Sequence, residues 1–222
     1  MEEKSAILSR LIGEAKSIVF FGGAGVSTAS GIPDFRSATG LYNQQRNTNY
    51  SPETMLSYWF MVNHPQEFYT YKRENLHYPK AKPNLAHLAL ARLEARIPDL
   101  TVITQNIDGL HQAAGSKNVL ELHGSMQRFY CMTCGRNYPA DLVWAGEGVP
   151  YCPACQGMIR PDVVLYGEML DQSVMQKAQS AISRADLMIV GGTFLVVYPV
   201  AGLLQFFFFK QKTAYEITCR DW

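Results

Sequence analysis

Ser17-Ile18-Val19-Phe20-Phe21-Gly22-Gly23-Ala24-Gly25-Val26-Ser27-Thr28 joins an apolar run to a glycine-rich turn. Its first half is too apolar to face water on either side, which is the pattern of a strand in a parallel sheet covered by helices. Glycines come at once after it, so the unit is strand, tight loop, helix. A dinucleotide pyrophosphate is usually cradled at such a turn, because glycines let the backbone approach phosphates and a helix N-terminus supplies amides and a positive dipole end. The loop departs from the dehydrogenase pattern in two ways. Thr28 replaces the third glycine, and no acidic residue stands about twenty positions on to hold ribose hydroxyls. Plain hydride transfer is therefore disfavoured, and a tight turn without a ligand is the simpler alternative.

Before this unit, residues 5–16 read as a helix with Ile7, Leu8, Leu11 and Ile12 on one face. Leu85 to Leu93 and residues 173–184 read the same way, and Val102-Ile103-Thr104, Val119–Leu122, Val163–Leu165 and Leu187–Val190 as strands. Strands alternating with helices predict an α/β fold: a Rossmann-like parallel sheet with helices on both faces. Residues 36–82 differ in character, being polar and aromatic, with helices near 52–62 and 65–76. They predict an insertion whose core is formed by Tyr42, Tyr50, Trp59, Phe60, Phe68 and Tyr69. The charge balance of 20 Lys and Arg against 19 Asp and Glu gives no basic stripe for nucleic acid. Arg10, Glu14 and Lys16 interrupt every apolar run before Ile18, so no signal peptide is expected. Leu187 to Phe209 carries no charge and is long enough to cross a bilayer, but glycines, Pro199 and Gln205 divide it into strand, loop and helix, and no membrane span is expected.

Cys131, Cys134, Cys152 and Cys155 form two C-x-x-C pairs, CMTC and CPAC, separated by seventeen residues. Each pair can grip one side of a tetrahedral ion, and four thiolates with no open position describe a structural zinc site. A disulfide framework is the rival, but one cysteine would be left over and nothing suggests secretion. Reduced cysteines imply a cytoplasmic protein. The chemistry must therefore lie away from the metal.

Beyond the glycine loop the motifs become more specific. GAGVSTASGIPDFR (residues 23–36), TQNIDGLH (104–111), ELHGS (121–125), both cysteine pairs, RPDVVLYGE (160–168) and GTFLVVYP (192–199) closely resemble the sirtuins in unbroken order over about residues 5–205. The resemblance implies removal of acyl groups from protein lysines with NAD as co-substrate, releasing nicotinamide and O-acyl-ADP-ribose. It implies that Ala24, Gly25 and Thr28 lie along the pyrophosphate and that Phe35 and Arg36 close over the nicotinamide ribose. Gln105 would touch the ribose, Ile107 and Asp108 would hold the carboxamide, and Asn106 would order that pocket. Thr193 and Phe194 would serve the cofactor's adenosine side. His123 would touch the cofactor and be the general base, with Asn106 and Asp108 beside it in the catalytic set. Val163 and Val164 would line the acyl-lysine tunnel and pair with the substrate backbone as an added strand. An imidazole suits the role because a base near neutral pKa must take a proton from a ribose hydroxyl. His87 and His111 are expected to be structural, and His64 and His77 to lie on the surface.

The expected division is an NAD-binding domain of residues 1–35, 83–126 and 160–205, and a smaller lobe made of the helical insertion 36–82 and the zinc module 127–159. Residues 206–222 match nothing expected of the family and resemble translated sequencing-adapter read-through, so they are expected to be foreign to the fold and to leave the sheet edge unpaired. Where sirtuins usually carry a serine after Thr193, this chain has Phe194. Sirtuins that favour acidic acyl groups resemble Y-x-x-R, and counting from Tyr69 this chain has Lys72, which lacks the bidentate fork of arginine; acetyl is expected over succinyl. Two rivals remain at this point: ADP-ribosyl transfer to protein through the same NAD site, and a truncated inactive homologue or zinc-ribbon adaptor. Loss of function on His123→Ala separates an enzyme from an adaptor.

Overall fold

The computed structural model describes residues 2–38, 40–43, 50–193, 202–203 and 213–217. Helix α1 (Glu2–Glu14) leads into strand β1 (Ile18–Gly22), all five of whose residues are buried. The glycines then open a short 3-10 helix, Ala24–Ser30, rather than an α-helix. The insertion holds α2 (Pro52–Met55), α3 (Tyr58–Asn63) and α4 (Pro65–Asn75); Ser51 and Ser57 cap the first two by accepting from Thr54 N and Phe60 N, which splits the single helix expected near 52–62. Helix α5 (Leu85–Glu94), β2 (Leu100–Thr104), α6 (Leu110–Ala113) and β3 (Val119–Glu121) return the chain to the main sheet. Then come β4 (Gly124–Cys131), β5 (Asn137–Pro139), α7 (Ala140–Ala145), β6 (Ile159–Val163), α8 (Gln172–Arg184), β7 (Leu187–Gly191) and β8 (Thr213–Ile217).

The main sheet has the order β3-β2-β1-β7-β8, and every pairing in it is parallel. Its two faces bury separate apolar clusters. Val19, Phe21, Ile103, Met188 and Val190 pack toward α8, while Ile18, Phe20, Val102, Leu187 and Ile189 pack toward α1 and α5. Successive residues of one strand thus alternate between two covered faces, which is why β1 shows no polar position.

One expectation is overturned at the sheet edge. Thr213–Ile217 lies beside β7 in parallel register, with Leu187 opposite Thr213 and Gly191 opposite Ile217, so the tail contributes a strand and the edge of β7 is paired. The alternation of β-formers in Thr213-Ala214-Tyr215-Glu216-Ile217 suits that place. Among the described residues no helix is long and apolar enough to cross a membrane.

A second, antiparallel sheet of order β5-β4-β6 carries the cysteines. Strand β4 starts at Gly124, immediately after His123, and ends at Cys131; β6 runs back from Ile159 to Val163. The expected boundaries at 126/127 and 159/160 therefore both fall inside this ribbon, which joins the two lobes. Gly124 is fixed by geometry, since its φ is +74° and a Cβ there would sit 2.1 Å from the Asp162 carbonyl oxygen.

Candidate functional site

The strand order reverses between β1 and β7, and at the carboxyl ends of those strands a cleft of about 1610 Å³ opens. Such a crevice is where open α/β sheets bind ligands. The loops leaving the two strands are stitched together: Gly23 N donates to Gly191 O at 3.1 Å and Gly25 N to Gly192 O at 2.8 Å. A Cβ on Gly192 would come within 2.3 Å of Val26 N. These glycines are thus needed first for one backbone to pass close to another, and the thin wall that results leaves room for a phosphate-bearing ligand.

Ala24, Gly25 and Ser27 line the cleft. Phe35 and Arg36 reach it from a turn held by Asp34, whose Oδ1 accepts from Arg36 N at 3.1 Å and Ser37 N at 2.8 Å. Phe35 meets Tyr42 edge-on with centroids 5.5 Å apart, and the Arg36 guanidinium lies 5.3 Å from the centre of the Tyr42 ring. An aromatic and a cation are thereby presented together at the mouth.

The segment after β2 supplies the polar wall. Gln105 N bonds Gly22 O at 3.0 Å, and its side-chain amide donates to Thr193 Oγ1 at 3.0 Å. Ser27 Oγ donates to Asp108 Oδ2 at 2.7 Å and accepts from Asn106 Nδ2 at 3.1 Å. Asp108 Oδ1 accepts from Leu110 N at 2.9 Å, and Ile107 O accepts from Met126 N at 2.9 Å. Ser27 is 1% exposed, so this network sits where an unmade hydrogen bond is costly. A Ser27→Ala variant is expected to leave Asp108 and Asn106 without that partner and to cost about 1–3 kcal/mol of stability, read as a lower melting temperature.

His123 closes the wall on the other side. Its Nδ1 lies 3.0 Å from Gln105 O, and its own carbonyl accepts from Val164 N at 3.0 Å. A carbonyl can only accept, so Nδ1 carries the proton and Nε2 keeps the lone pair. Burial holds the imidazole below the usual histidine pKa, although the bond to Gln105 O works the other way.

At the far end of the β4–β6 ribbon the four cysteine sulfurs lie within 4.8 Å of one another. Cys131 and Cys155 are 3.4 Å apart at sulfur, Cys134 and Cys152 3.7 Å. Disulfides would need about 2.05 Å. Sulfurs about 2.3 Å from a central zinc stand about 3.8 Å apart along a tetrahedron edge, so the donor set and spacing fit one four-coordinate zinc with no open position.

The chain is similar to known proteins. Residues 23–199 match the model of the Sir2 family. The chain is 52% identical over 208 residues to an NAD-dependent protein deacetylase of Clostridium perfringens, covering 94% of this chain and 85% of that protein. It is 54% identical over 200 residues to one of Cutibacterium acnes, covering 90% and 82%. A solved structure described as "Sir2-p53 peptide-NAD+" superposes with a TM-score of 0.83 at 41% identity, over 96% of this chain and 85% of that one.

The chain belongs to the Sir2 family.

In this sirtuin most of the expected site residues come together in the cleft: Ala24, Gly25, Phe35, Arg36, Gln105 to Asp108, His123, Val163, Val164, Lys72 and Thr193 all line it. Two do not. Thr28 is exposed and bonds back to Gly25 O at 2.9 Å. Tyr69 is fully buried and donates its hydroxyl to Ile159 O. Phe194 lies outside the described residues, as do residues 194–201 generally. Ser27 is the residue that sequence reasoning missed. His77, expected on the surface, stacks on Trp144 with centroids 4.6 Å apart and forms part of the wall.

Behind the sirtuin's polar wall, His87 and His111 are buried with ring centroids 4.7 Å apart. Asn84 N donates to His87 Nδ1 at 3.3 Å, completing the cap of α5. Burial, helped by His87, pushes His111 down to about 3; burial also lowers His87, against a smaller opposing effect of Asp108. Both rings thus bind protons more weakly when folded. Below about 6.5 the unfolded chain holds more protons, and stability falls as pH drops, by up to about 1.4 kcal/mol per pH unit for His111 down to about 3, with His87 acting in the same direction. Thermal melts are expected to shift down between pH 7 and pH 5, and a His111→Leu variant to show a shallower slope.

Proposed function

We infer that this chain is an NAD-dependent protein lysine deacetylase that consumes NAD and releases nicotinamide and O-acyl-ADP-ribose. The observation that carries this is one imidazole, His123, with its tautomer set by a backbone carbonyl, facing the same cleft as the Ser27–Asp108–Asn106 network. The glycine-walled loops, the Phe35–Arg36 pair and the cleft volume fit the group. NAD, when bound, supplies an activated ribose carbon that the acyl-lysine amide oxygen can attack once nicotinamide leaves.

Each residue then has a task that its surroundings support. The backbone of Ala24 and Gly25 meets the phosphates. Asp108 and the amide of Ile107 hold the carboxamide, with Ser27 and Asn106 fixing the Asp108 carboxylate. Phe35 excludes water from the reacting centre, which matters while positive charge develops there. Nε2 of His123 takes a proton from a ribose hydroxyl, and the depressed pKa keeps that nitrogen free at neutral pH. Val163 and Val164 offer strand pairing to the substrate backbone. Arg160 holds that segment in place: its guanidinium bonds both oxygens of Glu168 at 2.6 and 2.7 Å and the Val163 carbonyl at 2.8 Å.

Acetyl is preferred over succinyl in this reading. Lys72 is 1% exposed, faces Met126 Sδ at 3.5 Å and the Phe68 ring, and burial brings its amine down to about 7, with Arg160 adding to the effect. A partly neutral amine is a poor grip for a distal carboxylate. The reduced thiols that zinc requires support a cytoplasmic setting.

Mass spectrometry after incubation of the zinc-loaded chain with NAD and an acetyl-lysine peptide tests the proposal. O-acetyl-ADP-ribose should appear only when both are present. Label from NAD found on protein instead would mean ADP-ribosyl transfer, and faster turnover of a succinyl peptide would reverse the acyl preference.

A further inference from the structure

Tyr138 stands on β5 directly across from Phe129 of β4, two residues before Cys131. Its ring packs against the small apolar cluster of the module, beside Phe129, Val143 and Ile159, and its hydroxyl lies 2.9 Å from Cys152 Sγ. Cys152 is completely buried. Once four thiolates hold a zinc ion none of the sulfurs carries a proton, so the phenol can only donate in this contact. Four thiolates on one dication also leave an excess of two negative charges, which hydrogen-bond donors around the sulfurs must spread.

Both pairs use the amides of their own turns, those of Ala154 and Cys155 at Cys152, and Cys152 has a side-chain hydroxyl in addition. Cys131 Sγ accepts from the backbone amides of Thr133 at 3.4 Å and Cys134 at 3.5 Å, within its own C-x-x-C turn. At Cys152 the hydroxyl comes from a separate strand, and among the described residues Tyr138 is the hydroxyl-bearing side chain hydrogen-bonded to any of the four sulfurs. Its place is fixed by β4–β5 pairing rather than by the cysteine turn.

We propose that Tyr138 is a positioning residue of the metal centre: its hydroxyl holds the Cys152 thiolate in the rotamer that faces the zinc and draws negative charge off that sulfur, so the metal is retained. Outer hydrogen bonds of this kind typically contribute about 10- to 100-fold in metal retention. The contact also gives β5 a function that its three residues do not otherwise show.

The test compares wild-type zinc-loaded protein with Tyr138→Phe, which keeps the ring and removes only the hydroxyl. Zinc transfer to 4-(2-pyridylazo)resorcinol is expected to run about 10-fold faster in the variant. Cobalt is then exchanged into both proteins. The visible ligand-field bands should stay tetrahedral, while the near-ultraviolet thiolate-to-cobalt bands move to longer wavelength, because a sulfur without its hydrogen bond gives up an electron more easily. Faster release together with the red shift supports the proposal. Unchanged release overturns it, and so does faster release with an unmoved charge-transfer band, since loosened packing alone would produce that.

Discussion

His123→Ala is expected to lower the formation of O-acetyl-ADP-ribose by about 10²- to 10⁴-fold, the usual contribution of a positioned general base, while zinc content and NAD affinity stay near wild type. The ring makes one described hydrogen bond, to Gln105 O, and the carbonyl that anchors Val164 N belongs to the backbone and survives the change. The variant therefore loses the proton acceptor without losing the loop. Activity assays paired with calorimetric NAD binding separate these effects; a large fall in NAD binding would assign His123 to the binding wall instead. Because burial depresses the imidazole, the wild-type acid limb of kcat/KM should lie below the ordinary histidine value of about 6.5, with activity falling as pH drops through it. An adaptor would be indifferent to the substitution.

Removal of the metal should be the most damaging change. Cys152→Ala, or prolonged chelation, is expected to cost most of the roughly 10–16 kcal/mol that a structural zinc site contributes in small modules, and to abolish activity with it. The apolar cluster there is small, built around Phe129, Cys131, Ala140, Val143, Cys152 and Ile159, and cannot hold the module alone. The loss should reach the site because β4 and β6 are continuous: their far ends carry or adjoin the ligands Cys131 and Cys152, and their near ends carry Gly124 beside His123 and Val163. Activity and zinc content should fall together in a chelator titration. Retained activity in a zinc-free sample would show that the ribbon does not transmit the disorder.

The main sheet was legible because β1 and β7 are apolar at successive positions, a pattern that only a doubly covered strand tolerates. The cysteines were legible because C-x-x-C spacing is itself a ligand geometry. Ser27 shows what the sequence left hidden. The residues after the glycines form a 3-10 helix rather than an α-helix, in which Ser27 is buried against Asp108 while Thr28 is exposed and bonds back to Gly25 O. Nothing local distinguishes those two helices in GAGVSTAS. Tyr69 and Lys72 are neighbours on one helical face by spacing, yet Tyr69 finds a carbonyl on β6, ninety residues away, that sequence order cannot reveal. Strand β8 was hidden for the same reason, since its partner is β7 and residues 206–222 match nothing expected of the family.

The bond between His123 Nδ1 and Gln105 O makes the base's protonation pattern a property of chain path. In many enzymes a carboxylate orients the histidine, and a single substitution there can reverse the tautomer. Here the acceptor is a main-chain oxygen, present whatever residue occupies position 105. Mutational drift can alter the Gln105 side chain and its link to Thr193 without touching the proton on Nδ1. Only a change that bends the backbone after β2 would do so, and the parallel ladder of β1, β2 and β3 resists that bending. The most demanding feature of the site is thereby stored in the least mutable part of the molecule.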